Sequence, residues 1–158
     1  MLYASLKALH LLAIVAWVGG MVFTLFCLRP ALGVLEPAAR VTLMHAVMGR
    51  FVALVTVAVV VAFASGASMV GIAWSASARA GLPFNMPLDW YAMIGLFFFM
   101  LAVFIHIRAV LFPRLAAAVA TGRWAEGGAA LGAIRWEVTV NLVIGIFVIV
   151  FVRLGGTA

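Results

Sequence analysis

The chain has 158 residues, 68% of them hydrophobic and 9% charged, whereas a soluble domain is about half apolar and a quarter charged. No soluble fold of this length has interior enough to hide so much apolar side chain, so the composition excludes a soluble enzyme. It leaves an all-α integral membrane protein, one transmembrane domain over 1–158 with no separate soluble part. The net charge of +6 comes from basic residues scattered singly at the ends of apolar runs; lipid headgroups select that placement, and no nucleic-acid surface is expected.

Four stretches are long enough to span about 30 Å of hydrocarbon, which takes roughly 20 helical residues. They lie near 3–28, 47–75, 89–112 and 136–154 and predict a four-helix bundle. The first contains KALHLLAIVAWVGG, Lys7 to Gly20. Its apolar run is long and has no clear small-residue cleavage site, so it reads as a retained helix rather than a signal peptide. One face carries His10, Ala13, Trp17, Gly20 and Thr24, and the other Leu11, Val15, Val18, Val22 and Leu25. At helical spacing the first face points into the bundle and the second to lipid. Arg29-Pro30 is expected to end this helix. Cys27 is the only cysteine; an intrachain disulfide and the CxxCH attachment of c-type haem are therefore excluded.

The second helix is expected to begin near Pro37 to Val41, as an extension past the membrane surface. Ser77 to Trp90 holds two prolines and a glycine and reads as a loop. Asp89 is a plausible cap for the third span, and Phe112-Pro113 its expected end. Residues 114–133 are rich in alanine and predict a short interfacial helix and turn. Lys7, Arg79 and Arg153 fall on one side of this arrangement. Arg29, Arg40, Arg50, Arg108, Arg114, Arg123 and Arg135 fall on the other. The positive-inside rule puts the second side in the cytoplasm and both termini outside, in a multi-pass protein of a bacterial inner membrane.

An ionisable side chain within the bilayer is costly and by default functional. His10, about two turns into the first helix, is the leading candidate. With Trp17, Gly20 and Thr24 it could form one wall of a pocket for haem b; the bland alternative is a histidine hydrogen-bonded to a neighbouring helix. Met1, Met69, Met86 and Met93 share its side of the membrane, and Met93 matches it best in depth. A His/Met pair suits haem iron and equally Cu(I). His45 and His106 lie towards the inner side, where they could ligate together. His10 and His106 differ by roughly 15–20 Å in depth, too far for one ion. Among the other inner polar residues, Arg108 is expected to snorkel to the interface. Glu137 and Asn141 are expected to face inward, with Arg50 or Arg135 as partner to the carboxylate.

The first helix, with its KALHLLAIVAWVGG, resembles the opening helix of CopD-type copper-resistance membrane domains. It is also similar to that of HemJ-type protoporphyrinogen oxidases, four-helix membrane proteins that bind haem b. Met48-Gly49-Arg50-Phe51, Trp90, His106 and Ile134-Arg135-Trp136-Glu137 through Asn141 resemble stretches of the second family. That resemblance implies a haem scaffold with His10 as axial ligand. The oxidase lysine is replaced here by Met93 or Ile94, so its activity is not carried over. The first resemblance, together with the outer methionines, implies copper transport or resistance. The reading with most residues behind it is a haem b protein with a redox, electron-transfer or gas-binding role, working with a quinol or respiratory-chain partner and plausibly as a homodimer. The alternatives are a copper transporter, with Met1, Met69, Met86 and His10 capturing the ion and His45 and His106 releasing it, and an accessory subunit of a respiratory complex.

Overall fold

The structure, a computed structural model, describes residues 1–155. Its secondary structure is all helical. Four helical rods, each long and apolar enough to cross a membrane, are α1 (Leu2–Val34), α2 (Pro37–Arg79), α3 (Leu88–Ala120) and α4 (Trp124–Gly155).

Two prolines lie inside rods they were expected to end. α1 passes through a π turn at Thr24–Leu28, then an α segment Arg29–Ala31 containing Pro30, and finishes in a 3-10 turn at Leu32–Val34. α3 does the same, with a π turn at Ile107–Leu111 followed by Phe112–Ala120 containing Pro113. In an α-helix the proline ring clashes with the carbonyl four residues back and lacks the N–H that would bond it. A π turn widens the helix just before the ring and takes up both problems. The helix ends expected at Arg29-Pro30 and Phe112-Pro113 are thus corrected. The interfacial helix expected in 114–133 is the continuation of α3, a turn, and the start of α4.

The true helix ends lie where glycine allows them. Gly81 and Gly122 both have φ +68°, a left-handed conformation that costs glycine nothing. Around them Leu82 N–H bonds Ser77 O at 3.0 Å and Arg123 N–H bonds Ala118 O at 2.9 Å, the six-residue closure that satisfies the last free carbonyls of a helix. α2 opens with Pro37 in its first turn, where no N–H is needed.

Neighbouring rods run antiparallel. His10 meets Ala62 and Gly20 meets Phe51 between α1 and α2. Phe63 stacks on Phe97 between α2 and α3. Asn141 bonds Met100 between α3 and α4, and Gly145 lies against Val18 between α4 and α1. The first and last described residues, Met1 and Gly155, therefore lie at one end of the bundle, called the end with the termini. Trp17, 4% exposed, sits at the centre, edge-on to Phe97 and Phe104 with ring centroids 6.3 Å away in each case. Helix contacts in lipid gain little from the hydrophobic effect and depend on close packing. A Cβ on Gly145 would stand 3.2 Å from Val18 Cγ2 and 3.3 Å from Met100 Cε, so this glycine sets the distance between α4 and its neighbours. The outward faces carry Val15, Val57 and Val143, as lipid requires.

Exposed aromatics mark both membrane boundaries: Tyr3, Trp74 and Tyr91 towards the end with the termini, and Trp124 and Trp136 towards the other. Such rings settle at headgroup level. α2 has 43 residues and is about 64 Å long at 1.5 Å per residue, twice the hydrocarbon thickness. At that length α2 extends past the hydrocarbon on at least one side.

Candidate metal site

His10 is seated on α2. Its Nδ1 lies 3.0 Å from the Ala62 carbonyl oxygen and 3.1 Å from Ser65 Oγ. A carbonyl only accepts, so Nδ1 carries the proton and donates to it. The Ser65 hydroxyl donates to Val61 O at 2.6 Å and is free to accept from the same ring N–H. The imidazole is thereby fixed in one tautomer, and its other nitrogen, Nε2, keeps its lone pair for a ligand. This is the arrangement by which a partner on one nitrogen prepares the other for a metal. Gly66 packs beside the ring, where a Cβ would lie in contact with it at 3.4 Å from His10 Cε1, leaving no room for a longer side chain.

The ring lines a cavity of about 310 Å³ at the end of the bundle that carries the termini. Trp17, Met93 and Met100 share its wall with Phe63, Phe97 and Gly66. Three of the residues singled out from sequence, His10, Trp17 and Met93, are thus brought together. Gly20 and Thr24 are not among its lining residues and depart from the expected pocket wall. Gly20 packs on Phe51. Thr24 donates to Gly20 O at 2.7 Å and lines a second cavity at the opposite end. The stripe from His10 to Thr24 is one face, but it covers about 21 Å of helix and passes two different sites. Met69 and Met86 are half-buried and do not line the His10 cavity.

The inner polar residues find partners other than those expected. His106 Nδ1 is 2.7 Å from Glu137 Oε1, so the carboxylate's partner is this histidine rather than Arg50 or Arg135. His45 stacks on Phe112 at 5.3 Å between centroids; the two inner histidines are engaged separately. Arg108 donates from Nη1 to Thr56 Oγ1 at 3.2 Å and so is tied across to α2 rather than simply snorkelling. Asn141, 2% exposed, donates to Met100 O at 3.1 Å. Glu137 Oε2 and Asn141 Oδ1 are buried without a partner among the described residues.

Among the described residues no three His, Cys, Asp or Glu side chains gather to hold a metal. A metal bound at His10 would need a thioether beside it, and Met93 and Met100 supply that chemistry. Residues 45–154 match a family model described as Copper resistance protein D. The chain belongs to that family. The CopD match includes Met93, Met100, His106 and Glu137 and begins at His45, so α1 and His10 lie before it. No curated protein and no solved structure matches the chain. Sequence reasoning found His10 by its place in an apolar run. It missed Ser65, Gly66 and Met100, whose roles depend on how α2, α3 and α4 pack against α1; a serine next to a glycine in the second helix was the one available signal.

Proposed function

We propose that this CopD-family membrane protein binds Cu(I) at His10 and Met93 and passes it across the bilayer. One observation carries the reading: His10, with Nδ1 held by α2, shares a largely apolar cavity with the Met93 and Met100 thioethers. Imidazole nitrogen and thioether sulfur are ligands that select Cu(I), and they need no charged side chain to do so. The family description adds support by naming copper resistance. Buried methionines continue down the axis: Met21 at 2% exposure, Met48 at 2% and Met44 at 7%. Met44 and Met48 line the second cavity, so thioethers occur in the walls of both cavities and in the core between them.

With copper as the cargo, the chain's own residues hold an ion at the outer end, exclude water from it with Trp17 and Phe97, and offer weaker sulfur ligands inward. In this reading the termini face the periplasm and the arginine-rich end faces the cytoplasm of a bacterial inner membrane. The test is a Cu(I) titration of purified apo-protein against a competing chelator. His10→Ala and Met93→Leu should each weaken binding by at least tenfold, about what the loss of a site partner costs. Unchanged affinity in both variants would sink the reading.

A second reading, haem b on His10, rests on the same fixed imidazole in an apolar wall. The cavity, about 310 Å³, is at the small end of the range for ligand pockets, so a macrocycle would extend beyond it towards the lipid. A visible spectrum decides it: a Soret band lost in His10→Ala would establish haem, and a colourless protein expressed with ample haem would remove it.

A further inference from the structure

The second cavity has a chemistry that copper binding does not use. It holds about 230 Å³ at the end of the bundle away from the termini, and Arg29 of α1, Arg40 of α2 and Arg135 of α4 all line it. Arg29 Nη1 is buried and has no hydrogen-bond partner among the described residues. A buried donor on a charged group left unpaired is expensive and calls for an acceptor. No protein carboxylate supplies one: none of the described residues lining the cavity is acidic, and the nearby Glu126 is paired with Arg123 at 2.9 Å. Arg29 instead lies within range of the like charges of Arg135 and Arg40. Three positive groups around one space repel one another, and an anion among them would relieve that repulsion.

The backbone favours the same ligand. α2 begins at Pro37 and α4 at Trp124, and both residues are in the cavity wall. Two helix N-termini thus present their positive ends there. The remainder of the wall is apolar, with Leu25, Val41, Leu131 and Val138 among its residues. Trp136, exposed beside Arg135, puts this level at the membrane boundary. An anionic head with an apolar body, at headgroup depth, is a phospholipid.

We propose that the cavity walled by Arg29, Arg40 and Arg135 binds the phosphate headgroup of an anionic phospholipid, with its glycerol and proximal acyl chain against the apolar wall. Arginine forks match phosphate oxygens in pairs, so Arg29 Nη1 gains the acceptor it lacks. Basic pockets between transmembrane helices on the cytoplasmic side are suited to acidic lipid heads. This proposal does not depend on the copper reading.

The test uses full-length protein, delipidated in a neutral detergent and followed by thermal unfolding. Phosphatidylglycerol should raise the melting temperature by several degrees, while phosphatidylcholine and millimolar inorganic phosphate should not. Arg29→Gln and Arg135→Gln should abolish the shift. Arg114→Gln, which removes the same charge from an exposed position on α3, should keep it. If Arg29→Gln does not fold, Arg40→Gln at an exposed position serves in its place and should at least halve the shift. An equal shift in the cavity variants and the wild type, or an equal shift with phosphatidylcholine, would overturn the proposal. An equal shift with inorganic phosphate alone would overturn the lipid assignment in favour of a soluble anion.

Discussion

His10 is held by residues that are not ligands, and that separates binding from seating. Gly66 offers the space beside the ring, where a Cβ would already lie at 3.4 Å. Gly66→Leu should therefore displace the imidazole and cost Cu(I) affinity about as much as removing a supporting partner, tenfold or more, although every ligand remains. The same chelator competition measures it. Ser65→Ala keeps the Ala62 carbonyl as acceptor and should change affinity by no more than a few fold. At Gly20 the space is tighter still: an added Cβ would fall within van der Waals overlap of the Phe51 ring. Gly20→Ala should lower stability in detergent by about 1–3 kcal/mol, the usual cost of overpacking, without affecting copper. His10 and Trp17 were legible in the sequence because a helix repeats every 3.6 residues and a polar ring in an apolar stripe stands out. Gly66 was not, because a glycine's purpose in a helix is set by what approaches it from another helix.

At the level of the helix, the hydropathy of the chain predicted the four spans and their order. Spans were legible because each must satisfy its own backbone in lipid. Their ends were less so. Proline is a reliable stop in an ordinary α-helix, but here Thr24–Leu28 and Ile107–Leu111 form π turns ahead of Pro30 and Pro113. A local rule based on composition has no term for that. Pairings between helices were also out of reach, because several basic residues compete for Glu137 on sequence grounds while only the fold brings His106 to 2.7 Å. Asn141 illustrates the stakes of such contacts. It is 2% exposed, and its amide donates to Met100 O at 3.1 Å. Asn141→Asp would turn that donor into a buried, unpaired charge and should destabilise the α3–α4 contact by about 3–5 kcal/mol. Reversible unfolding of the variant in mixed micelles would measure the loss.

For the whole molecule, the proposed orientation puts the arginine-rich end, the one away from the termini, in the cytoplasm, with the exposed Trp74 and Trp136 towards opposite boundaries. Alkaline phosphatase fused to the C-terminus should then be active in a Gram-negative host. A fusion inserted at Gly122, in the turn between α3 and α4, should be inactive, while green fluorescent protein there should be bright. The reverse pattern would invert both the orientation and the direction assigned to copper. The two cavities also differ chemically: thioethers line both, the His10 imidazole only the first, and the arginines only the second. A cation leaving through the inner end would be opposed by Arg29, Arg40 and Arg135 unless an anion were present, which links lipid occupancy to transport if both proposals hold.

The π turn at Thr24–Leu28 has a further consequence for how the chain could have changed and still worked. A π turn is equivalent to one residue inserted into an α-helix, so the residues after it are rotated by about 100° from where an unbroken helix would put them. Arg29 owes its direction to that extra residue. Deleting any one of Thr24–Leu28 would let the π turn close to α and leave Arg29 facing nearly the same way, whereas closing the turn at the present chain length would rotate Arg29 by about 100° off the cavity. The π turn therefore absorbs a one-residue length difference ahead of Pro30 and keeps the phase of the inner end of α1, which no measure that counts residues without regard to angle records.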